Sequence, residues 1–399
     1  MPQSIVLYDN AEWRKHLLPF CAVRPVGNLR VGICTLDEKW KHIFHAQVSY
    51  LTVDYLQSSF PVQANLQGQA LIIRANVLPS ERLIEALDGL RIGEKLVYKG
   101  KWIAALVDQF PLEANANFDA LKPILLDFDI AQITFPEDIF LQNKNQLLFD
   151  FDLLTRGRSS AALSANNMIF GDHIFVEEGA QVEGVSLNSL HGPIYIGKQA
   201  RLEEGSFLRG YVAIGEQARV KIGTRLYENV SIGPRSTIGG EVNNSVLWGD
   251  SAKGHDGYLG CAVLGEGCNL GAGSSNSNLK NNWSSVKLYD YFSGKNRDTG
   301  ILKCGLMMGD YAMSAVNSSF NTGTVIGVGA QLAISNFIPK FVPDFSWLTD
   351  SGSSSYQMDR FIAMLQRKCN AGADDLIDPN ILSRVFDDTK ELRKQLINH

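Results

Sequence analysis

One stretch of this chain concentrates side chains that could do chemistry. Lys253-Gly254-His255-Asp256-Gly257-Tyr258-Leu259-Gly260 is followed by Asn269-Leu270-Gly271-Ala272-Gly273 and by Ser277-Asn278. An imidazole titrates near neutrality, so His255 could take a proton from an attacking amine or hydroxyl. It is one of seven histidines, and the one set among glycines, with Tyr258 three residues on. Asparagines in such a run can hydrogen-bond sugar hydroxyls, or simply tolerate the left-handed backbone of a turn. Spacing alone leaves His255 open between a general base and a corner residue, and Asn269 reads first as a corner residue.

The element that must present these residues is defined by a period of six. Ile196, Leu202, Leu208, Ile214, Val220, Leu226, Ile232 and Ile238 are all aliphatic, and glycine follows Ile196, Ile214, Ile232 and Ile238 directly. A six-residue period fits neither a helix nor plain strand alternation. It fits a hexapeptide solenoid, in which each hexad is a short strand plus a turn and three hexads close one coil. Glycine suits the corners, where positive φ is needed. Phe170, Val176 and Val182 extend the series upstream, before an insertion around residues 189–193. Val246, Ala252, Tyr258, Leu264 and Leu270 resume it out of phase, and Leu302, Met308, Ser314, Phe320, Ile326, Leu332 and Ile338 continue it. The break between Leu270 and Leu302 reads as a loop thrown out of the solenoid.

Residues 1–155 carry no hexads. A strand at Ile5–Tyr8 precedes a short helix at Trp13–Leu18 stopped by Pro19. Thr35 and Glu38 have capping-box spacing at the head of a helix running to Phe44. Leu71–Ile73 reads as a strand and Ser80 as the cap of a helix over Glu81–Leu90. Lys95–Tyr98 and Trp102–Val107 form a hairpin around Lys99-Gly100-Lys101. This alternation predicts an α/β domain, joined by a helix over Ile139–Phe151 to a solenoid domain at 156–345. The tail, 346–399, has helical spacing at Ser355–Cys369 and Asn380–Leu396, suited to covering the open end of the solenoid.

Composition narrows the classes. A net charge of −5 argues against a general nucleic-acid surface, and an apolar content of 45 % with 20 % charged residues is that of a globular protein. No run approaches the length of a membrane span and no secretory signal is evident, so a cytoplasmic protein is expected. Six cysteines without a C-x-x-C pattern speak against structural zinc and against a disulfide framework.

The run Lys253 to Asn278 resembles the acetyltransferase half of the bifunctional bacterial N-acetylglucosamine-1-phosphate uridylyltransferase / glucosamine-1-phosphate acetyltransferases, with matching spacing from His255 to Tyr258, Asn269 and Asn278. Over nearly the whole chain, Arg24-Pro25-Val26-Gly27-Asn28-Leu29-Arg30-Val31-Gly32, Ser49-Tyr50-Leu51, Gly254-His255-Asp256-Gly257 and Asn321-Thr322-Gly323-Thr324-Val325-Ile326-Gly327 resemble bacterial sugar nucleotidyltransferase-like proteins with a hexapeptide-repeat C-terminal half. The resemblance implies a nucleotidyltransferase-like α/β domain, a left-handed parallel β-helix with a helical tail, a homotrimer, and acetyl-CoA bound between neighbouring prisms. By it His255 would be the catalytic base, and Arg225, Lys253, Tyr258, Asn269 and Asn278 substrate contacts. Arg24 and Arg30 would meet phosphates, and the first domain would take a nucleoside triphosphate with magnesium. The chain departs from the pattern at Asn243, where the family has a lysine, and in its longer loop at 280–302, which would reshape the pocket or grip a neighbouring subunit. The first domain lacks a G-x-G-x-R loop and has Asn76 where the metal aspartate is expected.

These observations support an acetyl-CoA-dependent N-acetyltransferase of an amino-sugar phosphate or nucleotide-linked amino sugar, with a weakened nucleotidyltransferase domain. Nucleotidyl transfer as the main activity, and a non-catalytic sugar-nucleotide sensor or trimeric scaffold, are the alternatives. No metal ligands are expected in the solenoid.

Overall fold

A computed structural model describes residues 4–9, 12–62, 69–108, 118–370 and 377–397. The first domain is a mixed six-stranded sheet of β1 (Ser4–Tyr8), β2 (Gln47–Leu51), β3 (Ala70–Arg74), β4 (Glu94–Tyr98), β5 (Lys101–Val107) and β6 (Lys122–Leu125), ordered β2-β1-β3-β5-β4-β6. β1 runs parallel to both β2 and β3, and β5 antiparallel to β3 and β4. The expected caps are present. Thr35 and Glu38 form a capping box on α1 (Leu36–Phe44), and the Ser80 hydroxyl accepts from Leu83 N at the head of the helix Glu81–Asp88. The connecting helix is longer than expected, spanning Asp138–Thr155.

Beyond it the chain coils into a three-faced parallel solenoid, so the fold is an α/β domain followed by a parallel β-helix. The first face runs from Met168–Phe170 to Tyr258–Gly260, the second from Ile174–Val176 to Phe341–Val342, and the third from Gln181–Val182 to Ser346–Thr349. All eight residues of the main hexad series point inward and are at most 2 % exposed. The flanking series need correction. Phe170 is exposed, and Leu187 with its partner Ile169 takes the inward register. After Val242 the inward residues are Leu247, Lys253 and Leu259, not Val246, Ala252 and Tyr258. Shortened corners at Val242–Leu247 and Leu259–Leu264 shift the phase by one, which moves a side chain to the other side of the strand. Leu302 is exposed in the excursion, whereas Met308 to Ile338 are inward as expected, with Ser314 6 % exposed and the rest at most 2 %.

The second face carries apolar residues on its outer side as well. Val246, Trp248, Val263, Met307 and Val325 are buried in one core with Ile5, Leu7, Phe20, Leu29, Trp40 and Phe140 of the first domain. Polar contacts fix this interface. Arg24 donates to Asp310 at 2.9 Å and to Glu266 at 2.8 Å while lying over the Trp248 ring. Asn143 accepts from Gly32 N and Ser231 Oγ and donates to the Asn229 carbonyl. The excursion at 280–302 forms an antiparallel hairpin (Lys287–Asp290 with Lys295–Asp298) that grips the chain's own first domain. His16 Nδ1 meets Asp290 at 3.0 Å, and Arg297 pairs with Glu137 over the Phe135 ring.

The tail forms three helices, Met358–Asn370, Pro379–Asp388 and Lys390–Ile397, where two were expected. Phe361, Leu365, Ile381, Leu382 and Val385 pack on Val328 and Phe345 at the end of the solenoid and on Ala22, Val23 and Leu56 of the first domain. Arg393, almost fully buried, donates to the Asp344 and Phe386 carbonyls.

Removing one partner of a buried ion pair leaves an uncompensated charge, a loss of about 3–5 kcal/mol. Arg24→Ala should therefore lower the free energy of unfolding by about that amount in urea titrations. Arg384→Ala, which breaks an exposed pair with Asp388, should cost less than about 1 kcal/mol. Equal effects of the two substitutions would contradict a structural role for Arg24.

Candidate functional site

His255 occupies the corner that connects the third face to the first, after the strand Ala252–Lys253 and before Tyr258–Gly260. Its side chain is exposed. The corner is rigid because backbones are stacked above and below it. A Cβ on Gly239 would lie 2.8 Å from the Gly254 carbonyl carbon, and one on Gly257, at φ +121°, would lie 2.1 Å from Ser274 O. Glycine is required at both places, at Gly257 by the backbone angle as well as the space.

Tyr258 and Asn278 come together at the far end of the first-face strand that leaves this corner. Asn278 Nδ2 donates to the Tyr258 hydroxyl at 3.1 Å and also lies 3.5 Å from Cys261 Sγ. Burial raises the pKa of the Tyr258 phenol, so it stays protonated and can donate a hydrogen bond. A Cβ on Gly260 would lie 2.2 Å from the Tyr258 hydroxyl oxygen, so the ring lies over a residue that must lack a side chain. The strand Tyr258–Gly260 thus has the His255 corner at its start and the Tyr258 hydroxyl with Asn278, over Gly260 and Cys261, at its end.

The other expected contacts lie elsewhere. Asn269 is exposed on the third face, paired with Ala252, across the His255 corner from Tyr258. Arg225 is on the first face in the same row as Tyr258, but Glu241 stands between them. Two strand spacings amount to ~10 Å, and Arg225 is 3.7 Å from Glu241. It lines a surface cavity of about 400 Å³ with Asn188, Phe207, Arg209 and Tyr227.

Lys253 is a correction. It is fully buried, pointing into the prism where other coils place an aliphatic residue. Its ammonium donates to the His255 carbonyl, to Asp256 O at 3.2 Å and to Gly239 O at 3.4 Å. Burial pushes its pKa down to about 8, opposed by Asp256. A side chain so enclosed shapes the corner and does not touch a ligand outside it. Asn276, which the sequence did not single out, is a second inward polar residue. Its amide accepts from Gly260 N at 2.8 Å and donates to Gly260 O at 3.0 Å. Its phase could have revealed it, since it stands six residues after Leu270.

In the first domain Arg24 is likewise reassigned, because its guanidinium is taken up by Asp310 and Glu266. Arg30 donates to the Ile33 carbonyl and lies 3.8 Å from Glu38. Both arginines line an interdomain cavity of about 290 Å³ with Asn28, Arg235, Trp248 and Glu266. The magnesium implied at this domain does not fit the residues present. Asp9, at the end of β1, accepts from Arg14 and Val26 N and is already neutralised. Asn76 is neutral, and its Nδ2 is held by the Ile133 carbonyl. Among the described residues no group of three His, Cys, Asp or Glu could hold a metal ion. A hard divalent cation favours several anionic oxygens. Asp9 Oδ1, Thr52 Oγ1 and Asn76 Oδ1 nonetheless lack hydrogen-bond partners at the carboxyl ends of β1, β2 and β3.

No helix among the described residues is long and apolar enough to cross a membrane. The five cysteines Cys21, Cys34, Cys261, Cys268 and Cys304 are buried and free.

Comparison with known proteins gives one family match and several partial similarities. Residues 5–159 match the family model described as sugar nucleotidyl transferase. The chain is 29 % identical over 170 residues to a bifunctional sugar-1-phosphate nucleotidylyltransferase/acetyltransferase of Sulfurisphaera tokodaii, covering 42 % of this chain and 40 % of that protein. It is 26 % identical over 122 residues to the bifunctional protein GlmU of Methanocaldococcus jannaschii, covering 31 % of this chain and 28 % of that protein. The chain thus spans less than half the length of the curated relatives it matches. Among solved structures, the UDP-N-acetylglucosamine acyltransferase of Francisella novicida aligns at 17 % identity and a TM-score of 0.22, covering 57 % of this chain and 87 % of that one. The Arabidopsis UDP-N-acetylglucosamine acyltransferase aligns at 12 % identity and a TM-score of 0.21, covering 59 % and 96 %. The resemblance drawn from the sequence is therefore borne out as a resemblance: residues 5–159 match the sugar nucleotidyl transferase family model, and the chain is similar over part of its length to bifunctional sugar-1-phosphate nucleotidylyltransferase/acetyltransferases.

Proposed function

We propose that this chain is a sugar-nucleotide transferase whose solenoid transfers an acetyl group from acetyl-CoA to the amine of an amino-sugar phosphate or nucleotide-linked amino sugar. The observation that carries this reading is the exposed His255 on a rigid corner, at the head of the strand whose far end carries the hydrogen-bonded pair Tyr258 and Asn278. In the reaction the sugar amine attacks the thioester carbonyl, a C–N bond forms and the C–S bond breaks. His255 takes the proton released from nitrogen and delivers it to the leaving CoA sulfur. Tyr258, protonated, and Asn278 orient the acceptor. Arg225 and Asn269 belong to this reading only if a second subunit completes the site, because within one chain they stand apart from the corner. That requirement agrees with a homotrimer assembled through the first and third faces.

A second reading concerns the first domain. Unpartnered oxygens of Asp9, Thr52 and Asn76 at the strand ends favour a domain that binds a sugar nucleotide without turning it over. Among the described residues Asp9 is already paired with Arg14 and Asn76 is neutral, which speaks against nucleotidyl transfer as the main activity.

General-base catalysis contributes about 10²–10⁴ in rate. His255→Ala and His255→Asn should each reduce acetyl transfer to an amino-sugar acceptor by about that factor, with melting temperature and acetyl-CoA binding unchanged. A folded variant that acetylates at the parental rate would reduce His255 to a corner residue. Light scattering at micromolar concentration should give three times the chain mass of 44.0 kDa, and a monomer would remove the proposed intersubunit site.

A further inference from the structure

The prism interior is aliphatic or aromatic along nearly its whole length, and its two large polar exceptions lie directly beneath the candidate site. Val176 to Leu247 supply an unbroken apolar column, and Met308, Phe320, Ile326 and Leu332 continue it beyond the excursion. Lys253 and Asn276 interrupt it, both at most 4 % exposed. Each bonds backbone, and the backbone it bonds belongs to the His255 corner or to the strand that carries Tyr258. Lys253 holds the carbonyls of His255 and Asp256 and the stacked Gly239 carbonyl; Asn276 pairs with both the N–H and the C=O of Gly260, the residue over which the Tyr258 ring lies.

We propose that Lys253 and Asn276 are positioning residues that act from inside the prism, fixing the His255 corner and the Tyr258–Asn278 pair against the outer surface. This rests on the reading of His255 as the base. Burying a lone cation opposes folding, and the other coils show that the solenoid forms with an aliphatic residue at the same position. The fold therefore does not call for Lys253. What an aliphatic residue cannot do is donate to three carbonyls at one corner. An imidazole on a loose corner would sample many directions, and a functional group off by even 1 Å loses much of its effect.

The test uses the full chain labelled with ¹³C at histidine Cε1 and tyrosine Cε, with His255→Asn and Tyr258→Phe assigning the two resonances. Lys253→Met should fold, and should shift and broaden the His255 resonance while leaving the other histidines in place. Asn276→Leu should do the same to the Tyr258 resonance. Stability supplies a second readout. The Lys253 ammonium faces the carbonyls named above and, among charged groups, Asp256. Its folded pKa, about 8, is below the ordinary 10.5. From pH 8 to 10.5 the unfolded chain holds a proton the folded chain has released, so the parent gains stability as pH rises. The denaturation midpoint of Lys253→Met should therefore exceed the parent's at pH 7 and lose that lead by pH 10. In an acetyl-transfer assay kcat should fall about 10–100-fold, the usual effect of removing a supporting partner, with KM changed less. An unmoved His255 resonance in a folded Lys253→Met, or a Lys253→Met chain that does not fold, overturns the proposal. A moved resonance in a chain with no acetyl transfer upholds positioning and removes the catalytic reading, so the two fail separately.

Discussion

The outer side of the second solenoid face cannot stand in water. Val246, Trp248, Val263, Met307 and Val325 form a continuous apolar strip, and covering it is the condition under which this chain takes its shape. The first domain is the cover. With that face closed, the prism has two open faces, the first and the third, and the corner between them is the edge opposite the first domain. His255 is on that corner. The placement of the candidate base thus follows from where the first domain docks, and the remaining surface around it is free for an acceptor, an acyl donor or another copy of the chain.

Rigidity follows from the same interface. Asn143 ties Gly32, Asn229 and Ser231 into one polar node, and Arg24 bridges two carboxylates across the boundary. The excursion closes over the seam through Asp290 and Arg297. An interface with buried charges on both sides is poorly suited to hinge motion, since opening would expose apolar surface and separate paired ions at once. The two domains behave as one scaffold, and chemistry at the His255 corner must be arranged by local geometry.

The hexads were legible because each inward position has one requirement, an apolar side chain of fixed volume, repeated at a fixed step. The phase was less legible because corner length is set by backbone, and the shortened corners after Val242 and Leu259 leave no strong mark. A signal was available in doublets: Val246-Leu247, Val263-Leu264, Met307-Met308 and Val325-Ile326 each put one apolar residue in and one out, and so mark the covered face. His255, Tyr258 and Asn278 were readable from their spacing within one motif, although the residue stacked on Tyr258 one coil later is Ser275 and Asn278 reaches the Tyr258 hydroxyl from the next corner. Lys253 and Arg24 were misread for a common reason. Residue type gives the charge, but which side of a strand or loop it faces depends on register and docking, and a one-residue shift in phase turned Lys253 from an outward contact into an inward brace.

Arg24 also limits what the first domain can do. A guanidinium offers five N–H donors in a fixed plane, and here Nε and both terminal nitrogens are directed at Asp310 and Glu266. To meet a triphosphate it would have to leave two carboxylates in a buried interface, with the burial already raising the Asp310 pKa to about 6. Arg30 lines the same interdomain cavity, donates to the Ile33 carbonyl and lies 3.8 Å from Glu38, and the lining sets Arg24, Arg30 and Arg235 against Glu38, Glu216 and Glu266, which leaves no net positive charge for a polyphosphate. The early loop that would cradle nucleotide phosphates thus serves to fasten the domain to the solenoid. The unpartnered oxygens at the strand ends offer hydrogen bonds without positive charge, which suits a sugar or base more than a phosphate chain. On this arrangement the early loop of the first domain is committed to docking, and the chemistry proposed for the chain is left to the solenoid edge at His255.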